Sequence, residues 1–353
     1  MKKLSHKHKL YLLRKSLQAF QKYETRKLKK SNSIRSSKED AIKRKIFVAP
    51  EYMDLEDHYE STVHFFHQLR TLCEDITSPF KIDFTKIHHL SPAAALIFTA
   101  EIDRIVKIRA RKGVNLSVRD FEKWDTSIKL QLRDMGMFDL LRPAKIPGNF
   151  WTVRNATDEQ FLKFQSGNMI NGEDANTLNM LITNLTPLPS KKLLQVGLTE
   201  AMSNSLEHAY PEDTKEYNKK LGKRWWMSAS FNNLTKRLSV LFYDEGIGIP
   251  KSLKKTLGEH FSSIFGQFNA GKLIEAATEL QRTRTHERNR GKGLKDIKKY
   301  IETIGRNKAQ LEIHSLNGYY KYSEKVITKE FTSPINGTLI QWQINLMEVN
   351  NAN

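Results

Sequence analysis

Residues 194–210 read LQVGLTEAMSNSLEHAY, and residues 244–250 read DEGIGIP. The first stretch has the apolar spacing of a helix, with Glu200, Asn204 and His208 at i, i+4 and i+8. At about 100° per residue each step drifts by only about 40°, so the three side chains point along one stripe. A carboxylate, an amide and an imidazole stacked in this way suit work beside a bound polyanion. The amide oxygen can ligate Mg²⁺, a hard cation that prefers oxygen. The carboxylate can take a proton from a water or hydroxyl nucleophile, and the imidazole can touch phosphate. Polar stripes are common on solvated helices, so this one gains its meaning from its neighbours.

Downstream, Trp226 to Phe231 and Leu238 to Tyr243 are predicted strands joined by the turn-like Asn232-Asn233-Leu234. The second strand runs into Asp244-Glu245-Gly246-Ile247-Gly248-Ile249-Pro250. Gly246 and Gly248 let the backbone bend and approach a ligand without a Cβ clash. An Asp at the strand end can accept a hydrogen bond from the exocyclic amine of an adenine. A lone D-x-G-x-G equally describes a calcium loop or a simple turn. Further on, Arg290-Gly291-Lys292-Gly293-Leu294 opens a helix with Leu294, Ile297 and Ile301 on one face. A helix N-terminus with flexible glycines binds phosphate through free backbone N–H groups and the helix dipole. The spacing is neither a Walker A loop nor a complete G-x-G-x-x-G, so a dinucleotide fold has no support. Last, Asn336-Gly337-Thr338 turns into a strand over Leu339 to Leu346.

Taken in order, these elements resemble the GHKL ATPase superfamily of gyrase B, Hsp90, histidine kinases and MutL. E-x-x-x-N-x-x-x-H-A is similar to its N box, D-x-G-x-G-I-P to its first glycine box, and G-x-G-L to its second. The wording around Thr199 to Tyr210 is most similar to the bacterial anti-sigma-factor serine kinases. The resemblance implies a Bergerat-type α/β sandwich over 191–347, with a mixed sheet and helices on one face, binding ATP and Mg²⁺. It implies Asn204 as the Mg²⁺ ligand, Glu200 as general base and His208 as a phosphate-side contact. Asp244 would read the adenine amine, with Gly246 and Gly248 beside base and ribose. Gly291, Gly293 and Leu294 would lie at the phosphates, and Thr338 would support the adenine through Asp244. Residues 251–289 would form an ATP lid. Arg282, Arg284, Arg288 and Arg290 then either meet phosphate on closure or belong to an exposed basic loop.

Upstream, residues 45–142 alternate strands and helices. Ile46-Phe47-Val48 is extended, a helical pattern runs from about Asp57 to Asp75, and Phe80 to Phe84 alternates as a strand. Ser91 caps a helix with Pro92 at its first position, and Leu96, Ile97, Ala100, Ile105 and Val106 lie near one face of it. Gly113 ends that helix, Val114 to Val118 is the next strand, and a helix from Thr126 to Met135 stops at Gly136. This order resembles the STAS domain of anti-sigma-factor antagonists. The carriers are Ile82-Asp83-Phe84-Thr85, the Leu90-Ser91-Pro92-Ala93-Ala94 turn and Leu132 to Phe138. In that family the turn carries a phosphorylatable Ser or Thr. Here Ala93 aligns with the acceptor and Ser91 with the preceding Asp, so Ser91 is read as a cap unless the register shifts. The fold class expected is therefore α/β and α+β in two domains, with a connector over 143–190.

The chain has 353 residues, 58 Lys and Arg, 39 Asp and Glu, and a net charge of +19. Residues 1–45 hold 16 of the basic residues against three acids, so the arm 1–44 carries most of the excess. Leu10, Leu13, Leu17 and Phe20 recur in it at helical spacing. Such an arm can bind nucleic acid or another polyanion, dock a partner or acidic surface, or stay solvated. One cysteine, Cys73, excludes internal disulfides and any zinc site built from cysteines. No apolar run approaches the roughly 20 residues of a spanning helix, and no secretory leader is visible, so a cytoplasmic protein is expected. His67-Gln68-Leu69-Arg70-Thr71-Leu72 lacks the acid and proline of a histidine-kinase acceptor site. Two functions follow. One is an ATP/Mg²⁺ switch that hydrolyses ATP or phosphorylates a partner's Ser or Thr, with the STAS-like unit docking a protein partner. The other is an ATP-gated clamp or sensor on nucleic acid, closing as an ATP-dependent homodimer.

Overall fold

A computed structural model describes residues 45–71, 80–110, 117–141, 148–151, 158–211, 222–257, 267–279 and 294–347. The chain divides into two units, Met1–Lys45 and Ile46–Asn353. The basic arm, Cys73, Gly291, Gly293 and the four lid arginines lie outside the described residues. Among the described residues no helix is long and apolar enough to cross a membrane.

The chain runs β1 (Lys45–Val48), β2 (Tyr52–Met53), α1 (Tyr59–Thr71), β3 (Phe80–Asp83), β4 (His89–Leu90), α2 (Pro92–Ala110), β5 (Ser117–Arg119), α3 (Thr126–Asp134) and α4 (Met137–Leu141). It continues with β6 (Glu159–Phe161), β7 (Gln165–Gly167), α5 (Gly172–Leu185), α6 (Lys191–Asn204), β8 (Trp225–Asn232) and β9 (Arg237–Asp244). Then come α7 (Ile249–Leu257), α8 (Ala270–Glu279), α9 (Lys295–Ile304), β10 (Ala309–Ser315), β11 (Gly318–Tyr322), β12 (Val326–Glu330) and β13 (Thr338–Asn345).

The fold is mixed α/β around a large antiparallel sheet of order β12-β11-β10-β13-β9-β8-β6, with β7 also on β8. Every described pairing in it is antiparallel, which corrects the expected mixed sheet. The reason is connectivity. Short turns join β8 to β9, β10 to β11 and β11 to β12, and such turns enforce antiparallel pairing. The helices between β9 and β10 carry the chain over β13, which pairs antiparallel with both, so β9 and β10 run the same way without pairing with each other.

Side chains alternate cleanly across this sheet. Leu238, Val240, Phe242, Ile340, Trp342 and Ile344 face a core closed by α5, α6, α8 and α9. Gly197 on α6 lets that helix press close to α9 and Trp342, whose indole donates to the Ile297 carbonyl at 3.0 Å. The opposite face is covered too, against the expectation of helices on one face only. Trp226, Leu241, Tyr243 and Leu339 share one core with α1, α2, α3 and α4. The first and last parts of the described unit therefore meet through a continuous apolar layer. A further difference concerns residues 143–190: they hold β6, β7 and α5, which complete the sheet and its helical core, rather than a bare connector.

In the N-terminal part, β3 lies between β1 and β5 and pairs with β5 in parallel. Ser91 caps α2, its hydroxyl accepting from the Ala94 N–H at 3.3 Å. Helix α2 is not one-sided as its spacing suggested. Ala93 through Ile105 are all buried, because α2 lies between α1 and the large sheet.

Candidate functional site

The helix through the first quoted stretch ends earlier than its periodicity predicts. Helix α6 stops at Asn204, and Ser205–Ala209 form a π-helical turn. A π turn winds more loosely than an α turn, and such turns concentrate at functional sites. Glu200 and Asn204 remain stacked one turn apart, with the Asn204 Nδ2 donating to Glu200 Oε1 at 3.1 Å. His208 lies on the π turn, so the stripe rotates before reaching it. Its Nε2 stands 3.7 Å from Glu207 Oε2.

The π turn ends against the glycine loop. The Ile247 N–H donates to the Ala209 carbonyl at 2.8 Å, and a Cβ on Gly246 would stand 2.2 Å from the Ala209 Cβ. Glycine at 246 is thus required by close approach to the helix end. The Tyr210 hydroxyl accepts from the Glu245 N–H at 2.9 Å and donates to the Arg224 carbonyl at 2.5 Å. Gly248 adopts φ 80°, and the next N–H, on Ile249, donates to Ser315 Oγ at 2.8 Å.

The final strand closes the same corner. Thr338 lies directly opposite Asp244 across β13 and β9. Gly337 has φ 82°, and a Cβ there would stand 1.9 Å from the Asp244 carbonyl oxygen. Ser315 Oγ joins the two segments, donating to the Gly337 carbonyl at 3.1 Å and lying 2.9 Å from Thr338 Oγ1. Of the expected site residues, Asp244, Gly246, Gly248 and Thr338 are brought together at one end of the sheet, beside the end of the turn that holds His208. Glu200 and Asn204 form their own pair one turn back. Leu294 sits at the start of α9 and packs against the helix-side core.

Asp244 is buried, and its carboxylate accepts from the backbone N–H groups of Gly246, at 2.8 Å, and Thr338. Burial outweighs these bonds and raises its pKa from 3.8 to about 7. The folded protein therefore holds this proton more tightly than the unfolded chain. Its contribution to stability falls as pH rises from about 4 to about 7. Asp244→Asn carries no titrating group, so the stability gap between wild type and this variant should shift against wild type across that window. Urea unfolding of both proteins at about pH 4 and about pH 8 measures it. A pH-independent gap would contradict the buried, ligand-free carboxyl.

Sequence reasoning missed the neighbour of Asp244. Glu245 is buried and points away from the glycine loop, toward the opposite face of the sheet. Its Oε2 lies 3.1 Å from Arg104 on α2 and 3.3 Å from Arg70 on α1. Arg104 also meets Glu101 at 2.5 Å. Two arginines and two glutamates thus balance in a nearly dry cluster. Burial holds the Glu245 carboxyl above its ordinary range against the pull of both arginines. No local pattern announces this cluster, because its partners lie far apart in sequence. Beside it, Trp226 donates its indole N–H to Asp103 on α2 at 3.0 Å. His67 is likewise committed structurally, donating from Nε2 to the Pro334 carbonyl at 2.7 Å.

A scan of protein-family models finds no match to the chain, and neither does a comparison with curated proteins. Among the described residues, no group of three or more His, Cys, Asp and Glu side chains is placed to hold a metal ion. A Mg²⁺ ion carried in with nucleotide needs no such group, because substrate phosphates and waters supply most of its oxygens. The Asn204 amide fits that role. Its nitrogen is turned to Glu200, so its oxygen faces another direction.

Proposed function

We propose that the protein is an ATP-binding switch of the GHKL type. It hydrolyses ATP or passes the γ-phosphate to a partner's Ser or Thr. The observation that carries this reading is the meeting of three segments far apart in sequence. The π turn after Asn204, the Asp244–Gly248 loop and the Gly337–Thr338 turn are joined by the Ile247–Ala209 hydrogen bond and the Ser315 bridge. These are the segments that the sequence resemblance assigns to one nucleotide site.

In this reading Asp244 receives the adenine amine, and its backbone donors Gly246 and Thr338 fix the carboxylate for that contact. Glu200 takes the proton from the attacking water or hydroxyl, and its bond to Asn204 sets its orientation. Mg²⁺ held at the Asn204 amide oxygen would supply charge neutralisation at the phosphates. His208 contacts the phosphate side, and the resemblance assigns Gly291, Gly293 and Leu294 to the phosphates as well.

The STAS-like segment is the regulatory or docking module. Support for this comes from Arg70 and Arg104, which grip Glu245 immediately beside Asp244. Displacement of α1 or α2 by a partner would act directly on the adenine-side loop. Incubation with γ-labelled ATP and Mg²⁺ tests the reading. Label appearing as free phosphate, or on an added protein substrate, supports it, while unbound and unaltered ATP contradicts it.

A further inference from the structure

Helix α1 holds both strand ends that meet at the proposed nucleotide corner. In its last turn, Arg70 grips Glu245 at the end of β9. Upstream residues of the same helix hold the approach to β13. Between β12 and β13, residues 331–337 belong to no strand, so their backbone groups need partners elsewhere. The Glu60 carboxylate accepts from the N–H groups of Thr332, at 2.9 Å, and Ser333, at 3.2 Å. The Tyr59 hydroxyl donates to the Ser333 carbonyl at 3.0 Å, and the His67 Nε2 donates to the Pro334 carbonyl at 2.7 Å. Glu60 and His67 lie about two turns apart and so share one face of α1. The Tyr59 ring also stacks on Phe331, with centroids 3.6 Å apart. One helix thus fixes the whole stretch from Phe331 to Pro334.

That stretch leads straight into the adenine side of the corner. The Ile335 N–H donates to the Leu316 carbonyl at 2.9 Å, and the Asn336 carbonyl accepts from the Tyr243 hydroxyl at 2.6 Å. Gly337 then passes so close to Asp244 that a Cβ would stand 1.9 Å from its carbonyl oxygen. Next, the Thr338 N–H donates to the Asp244 carboxylate. Each residue between Pro334 and Thr338 is in close contact, so a shift of the segment reaches Thr338.

The consequence is chemical. A carboxylate aimed at an adenine accepts a hydrogen bond from its exocyclic amine. A guanine presents a carbonyl at the same ring position, which donates nothing and repels the carboxylate. Discrimination between the bases therefore depends on how firmly the carboxylate is aimed. Thr338 is one of its two backbone donors, Gly246 the other.

Resting on the ATP-binding reading above, we propose that Tyr59, Glu60 and His67 are positioning residues that set the adenine selectivity of the site. They hold residues 331–334, and through them the Thr338 N–H, against the Asp244 carboxylate. They act through Thr338 and not on the nucleotide itself.

The variant Tyr59→Phe/Glu60→Gln tests this, because it removes one hydroxyl and one charge and keeps a ring to stack on Phe331. Its folding is verified by circular dichroism. Two readouts are taken at about pH 8, above the Asp244 pKa of about 7. One is hydrogen exchange without nucleotide, in peptides covering residues 331–338. The other is affinity for ATP and for GTP, each with Mg²⁺. Exchange should quicken in those peptides, and the preference for ATP over GTP should narrow by about three- to tenfold. A merely structural role would weaken both nucleotides alike and leave the preference unchanged. Unchanged exchange overturns the proposal, because α1 then does not hold the segment. Faster exchange with an unchanged preference overturns it too, because the segment then does not aim Asp244. Wild type that binds ATP without preferring it to GTP has the same force. Folded wild type that binds neither nucleotide would overturn the ATP-binding reading and this selectivity with it, and the exchange rates would then decide only whether α1 holds the segment.

Discussion

Glu200→Ala is expected to lower phosphate release from ATP by about 10²–10⁴-fold, the usual contribution of a positioned general base. That corresponds to about 3–5 kcal/mol of barrier. Nucleotide affinity should change little, because Glu200 acts on the attacking oxygen and not on the adenine. The structure adds a specific contrast. Glu200 accepts from the Asn204 amide, so removing it frees that amide without removing the magnesium-side oxygen. Asn204→Ala should behave differently, losing affinity for ATP with Mg²⁺ together with turnover. A Glu200→Ala protein that turns over ATP like wild type would remove Glu200 from the chemistry.

Arg104→Met should cost about 3–5 kcal/mol of stability, the range for breaking a buried ion pair from one side. Arg104 and Glu101 have side chains 1% exposed, and that of Glu245 is 4% exposed. With Arg104 gone, two buried carboxylates share Arg70 among the described residues, and that side chain is 16% exposed. The penalty comes mainly from uncompensated charge. The double variant Arg104→Met/Glu245→Gln should therefore recover part of the loss, whereas independent sites would add. Guanidinium unfolding of the two variants and wild type measures this. A loss below about 1 kcal/mol for Arg104→Met would mean that the cluster is open to water.

The sequence made some of this legible through local signals. Pro92 after Ser91 marks the start of α2, and the strongly apolar runs at 225–232 and 237–244 mark the central hairpin. Glycines 246 and 248 mark the loop after it, although their closest neighbours are Ala209, Ser315 and Leu316. Other features had weak or no local signals. Strands β10 to β12 mix charged and apolar residues. The edge strand β12 is largely exposed, so its pattern reads as surface. Helix α5 hides within what composition suggests is a connector. The π turn at 205–209 follows from packing against the glycine loop, which no helical periodicity encodes. The Glu245 cluster joins residues from three distant segments, so only the folded chain reveals it.

The most direct test of the account is equilibrium titration of ATP with Mg²⁺ into wild type and Asp244→Ala, with folding of both verified. The account predicts saturable binding of one nucleotide per wild-type chain, and an affinity reduced by about tenfold or more in Asp244→Ala. Folded wild type that fails to bind ATP, or Asp244→Ala that binds as tightly as wild type, would contradict it.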